Sequence, residues 1–73
     1  MIDLRDLTVK VNYLRDGALH ADADIKLLGP EGAHRALGER VIALIDNLNP
    51  ETRDYIVCAY IEGYLLKMLN PNL

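Results

Sequence analysis

The sequence predicts an α+β fold, a two-stranded antiparallel β-hairpin followed by an αα-hairpin (ββαα), in a single domain over residues 1–73. Three observations carry that expectation. Residues 7–27 alternate apolar and polar on either side of Arg15-Asp16-Gly17, whereas the stretches near 31–47 and 50–69 repeat their apolar residues at helical spacing. Gly29-Pro30 and Asn49-Pro50 punctuate the chain where the period changes.

The expected ribbon covers about residues 7–27. Leu7, Val9, Val11 and Tyr13 share one strand face, and Leu19, Ala21, Ala23, Ile25 and Leu27 share the matching face of the next. Opposed residues must lie on the same side of the sheet. A three-residue loop with a left-handed Gly17 meets that condition and sets Lys10 opposite Asp22 and Thr8 opposite Asp24. Upstream, Ile2 and Leu4 fall out of phase, which implies a bulge near Arg5-Asp6 or a change of direction.

Leu28-Gly29-Pro30-Glu31-Gly32 ends the strand and opens helix 1, at about 31–47, with Pro30 in its first turn. Ala33, Leu37, Val41, Leu44 and Leu48 form its apolar stripe, with Ile45 beside it. Arg35, Glu39 and Asp46 lie opposite, and Ile42 stands near that polar side. Asn49 is placed to cap helix 2, at about 50–69; Pro50 occupies its first position and Asn70-Pro71 ends it.

Helix 2 is apolar on two sectors. Val57, Ile61, Tyr64, Leu65 and Met68 occupy one, and Tyr55, Ala59, Gly63 and Leu66 the other. Ala59-x-x-x-Gly63 is a small-residue pair that admits a close helix backbone. A small chain buries only about 60% of its unfolded surface and needs a further source of stability. The single cysteine, Cys58, cannot supply an internal disulfide and is expected to be a buried small hydrophobe. Oligomerisation is the remaining source, so Tyr55, Ala59, Gly63 and Leu66 are expected at an interface between copies.

Chemistry is sparse. The chain has no serine, no glycine-rich phosphate loop and no paired carboxylates in a plausible cleft. His20, Asp22 and Asp24 would share a strand face, but the outer two would stand about 13 Å apart, too far for one metal ion. No catalytic residue, metal site or cofactor is therefore assigned, and the expected class is not an enzyme. The net charge of −3 and the scattered Lys and Arg disfavour nucleic acid and anionic membranes as partners. The lone cysteine and the absence of a basic-then-apolar leader in Met1-Ile2-Asp3-Leu4-Arg5-Asp6 suit a cytoplasmic protein.

The expected function is a small protein-binding module, a regulator, inhibitor or assembly subunit of bacterial or phage type. It would act as a homodimer or higher oligomer on a larger protein. Candidate contacts with that partner are Asp22 and Asp24, in an acidic patch with Asp3, Asp6 and Asp16, together with Tyr60 and Ile42. Two alternatives compete. Thr8, Lys10 and Asn12 on the polar strand face resemble the base-reading strand of ribbon-helix-helix regulators, which implies DNA binding through the ribbon. The full second strand with its carboxylates departs from that family, and no membership is assigned. The other alternative is a small-molecule sponge with a pocket between subunits.

Overall fold

In the computed structural model, which describes residues 4–70, the chain is a helical hairpin in which α1, Leu4–Asn47, packs against α2, Pro50–Leu69. α1 is interrupted at Gly29, whose φ of 78° and ψ of 172° lie in a region open to glycine alone. Pro30 follows, lacking an N–H and disfavouring helical geometry in the residue before it. The two residues together split α1 into an N-terminal arm, 4–28, and a C-terminal arm, 30–47. Unbroken, a 44-residue helix would run about 66 Å, whereas the longest dimension of the molecule is 39 Å. The break folds the arms back on one another.

The expected ββαα class is corrected: no strand occurs among the described residues, and 7–27 is helical throughout. The alternation that suggested a ribbon coincides with a second pattern on the same residues. Leu4, Leu7, Val11, Leu14, Ala18, Ala21, Ile25 and Leu28 recur at alternating steps of three and four, the spacing of a helical seam. Nothing separates a helix from a strand at Leu7, Val11, Ala21 and Ile25, which satisfy both. The helix wins because α2 rewards it: Gly17, Ala21 and Asp24, at i, i+4 and i+7, are the buried positions of the arm. In a strand, Asp24 would face away from Gly17 and Ala21.

Arg15-Asp16-Gly17, expected as a turn, lies inside the N-terminal arm. Gly17 is there for space rather than for a left-handed conformation. A Cβ at this position would collide with the carbonyl oxygen of Tyr60 and lie 3.0 Å from the amide nitrogen of Tyr64. Gly63 makes the reciprocal approach, since a Cβ there would collide with the carbonyl oxygen of Leu14. The two backbones touch at this crossing. Ala59-x-x-x-Gly63 therefore admits a helix of its own chain, with Gly17-x-x-x-Ala21 as its counterpart.

The connector is short. The Asn49 side chain makes no capping bond, but its backbone carbonyl accepts from the amides of Thr52 and Arg53 at 3.1 and 2.9 Å. Pro50 takes the first helical position, where its missing N–H leaves no donor unpaired. At the other end the Asn70 amide donates to the Leu66 carbonyl at 3.0 Å. Pro71, expected to stop this helix, lies outside the described residues.

The core is small and two helices deep. Ala21, Ala33, Tyr60 and Tyr64 form its centre, and Tyr13, Ile25, Leu37, Val41, Leu44 and Met68 pack around them. The molecule is 13 Å thick, close to one helix Cα diameter of about 4.6 Å plus one interaxial spacing of about 8–9 Å. α2 buries Ile56, Ala59, Tyr60, Gly63 and Tyr64, a single stripe that takes Tyr64 from one expected sector, Ala59 and Gly63 from the other, and Ile56 and Tyr60 from between them. Leu65 and Leu66 are left exposed. Cys58, expected to be buried, is exposed as well.

Candidate interaction groove and the buried polar network

Asp24 is the one charged residue in the buried interior among the described residues, at 5% exposure. A carboxylate out of water must be paired, and this one is paired twice over. Nε of Arg40, on the C-terminal arm, donates to Oδ2 at 2.8 Å, and the same guanidinium donates to Oδ1 from a terminal nitrogen at 2.9 Å. The Tyr64 hydroxyl from α2 lies 2.7 Å from Oδ2 and 2.8 Å from the Ala33 carbonyl oxygen. It has one proton for two acceptors, of which the carboxylate is the stronger. One side chain thus joins both arms of α1 to α2.

The electrostatics follow from that geometry. Arg40 holds the Asp24 carboxyl below the ordinary aspartate range, against the opposing effect of burial, and Tyr64 adds to the lowering. Reciprocally, the bond to Asp24 raises Arg40. Burial first, and the bound carboxylate second, push the Tyr64 phenol up. Burial also raises Tyr60. The Tyr60 hydroxyl meets Nδ1 of His20 at 2.6 Å, donating or accepting according to the imidazole tautomer. The rings of His20, Tyr60 and Tyr64 follow one another in tilted contact, with centroids 5.6 and then 6.3 Å apart. Acid, base and hydroxyl groups are gathered here, but the interior faces they occupy leave the network as a clasp between helices.

The outer surface carries the other candidate. Leu14, Arg15, Ala18, Leu19 and Asp22 of the N-terminal arm and Gly63, Leu66 and Lys67 of α2 line a groove of about 300 Å³. It runs beside the crossing where Gly17 and Gly63 draw the helices together. Its walls are mostly apolar, and its rims hold Leu19 and Leu66, which are 60% and 45% exposed. Asp22 accepts from Lys26 at 3.0 Å and stands 3.9 Å from Lys67. Leu7 and Val11 extend the apolar flank toward the N-terminus, at 46% and 52% exposure.

The residues expected to make contacts are distributed unevenly over this structure. Ala59 and Gly63, expected between copies, are buried against α1 of the same chain; Tyr55 is half-buried and Leu66 stands on the groove rim. Of the expected acidic patch, Asp24 is withdrawn into the core by Arg40 and Tyr64, while Asp22 stays part-exposed at the groove and Asp16 is exposed. Asp3 and the side chain of Asp6 lie outside the described residues. Tyr60 is buried on His20, and Ile42 is exposed on the C-terminal arm. Thr8, Lys10 and Asn12 lie on a helix, so the ribbon on which the DNA-binding alternative rested is gone.

The groove residues Leu14 and Leu19 escape a reading by strands, and Arg40, on the expected helix 1, is assigned no role from the sequence. Arg40 did leave a signal: it lies on the edge of the Ala33, Leu37, Val41 and Leu44 stripe, where a cation needs a partner. Among the described residues no helix is long and apolar enough to cross a membrane. No family model, curated protein or solved structure matches this chain.

Proposed function

We propose that the chain is a small, non-enzymatic protein-binding module that acts as an oligomer on a larger protein in the cytoplasm. The observation that carries this reading is the groove between the N-terminal arm and α2, with exposed leucines on both rims. Apolar surface held open on rigid helices is the usual mark of a docking site. The polar groups that could have served catalysis are committed to joining the helices, which supports a binding role over a chemical one. Cys58, the single cysteine of the sequence, is exposed, and a lone exposed thiol suits a reducing compartment.

The test compares wild type with a Leu19→Glu, Leu66→Glu double variant in cross-linking from a host extract. Both side chains face solvent, so helicity by circular dichroism should be unchanged. A protein cross-linked to wild type and absent from the variant is the expected result. Equal capture by both chains would dismiss the groove as the binding surface.

A further inference from the structure

We draw no further inference here: the strongest candidate, the apolar groove between the N-terminal arm and α2, belongs to the surface already described, and nothing in the structure shows what covers it.

Discussion

Replacing Arg40 by Met should cost more than replacing its partner Asp24 by Asn, and the difference should depend on pH. Of the three hydrogen bonds into the Asp24 carboxylate, two come from Arg40, at 2.8 and 2.9 Å. Arg40→Met leaves a buried carboxylate with only the Tyr64 hydroxyl, a loss of about 3 kcal/mol for an uncompensated buried charge. The total stability of so small a chain is about 5 kcal/mol, so most of it would go. Asp24→Asn keeps an acceptor for Tyr64 and strands Arg40, whose side chain is 36% exposed and reaches water. Its cost should be about 1 kcal/mol.

The pH dependence separates a lost charge pair from lost packing. In wild type the folded carboxyl is lowered, so its contribution is complete above the unfolded value near pH 4 and is lost as pH falls through the lower folded value. Without Arg40, burial dominates and the folded value rises above the unfolded one. The ionised group then destabilises at pH 7, and acidification relieves it. Urea unfolding followed by circular dichroism at pH 7 and pH 3 should show the gap between wild type and Arg40→Met narrowing at the lower pH. A gap independent of pH, or an Asp24→Asn variant as weak as Arg40→Met, would refute the clasp as described.

Two further outcomes follow from the crossing and the clasp. Gly63→Ala should destabilise by about 1–3 kcal/mol despite the better helix propensity of alanine, because its Cβ meets the Leu14 backbone, which cannot turn aside. Gly38→Ala, with nothing within 4 Å of its added Cβ, should instead gain about 0.5–1 kcal/mol in the same thermal-melting series; equal shifts would remove the close-approach argument. Tyr64→Phe keeps the ring and deletes the hydroxyl shared by Asp24 and Ala33, so urea unfolding should show a loss near 1–2 kcal/mol, and a neutral change would place that proton elsewhere.

Residues from Gly29 onward were legible without coordinates. Gly29-Pro30 breaks the chain for stereochemical reasons that no tertiary contact can cancel, and Ala33, Leu37, Val41 and Leu44 mark a core face by a period only a helix possesses. Ala59-x-x-x-Gly63 likewise announced a close backbone, although not whose. Residues 7–27 were ambiguous in principle, because Leu7, Val11, Ala21 and Ile25 fit steps of two as well as steps of three and four. Their helical state was decided by α2, which meets Gly17, Ala21 and Asp24 on one side of a helix and could meet no such row on a strand. The pairing of Asp24 with Arg40, sixteen residues apart, also belongs to the tertiary level. It exists only after the turn at Gly29 brings the arms together, and local sequence cannot say which of several acids a distant arginine will reach.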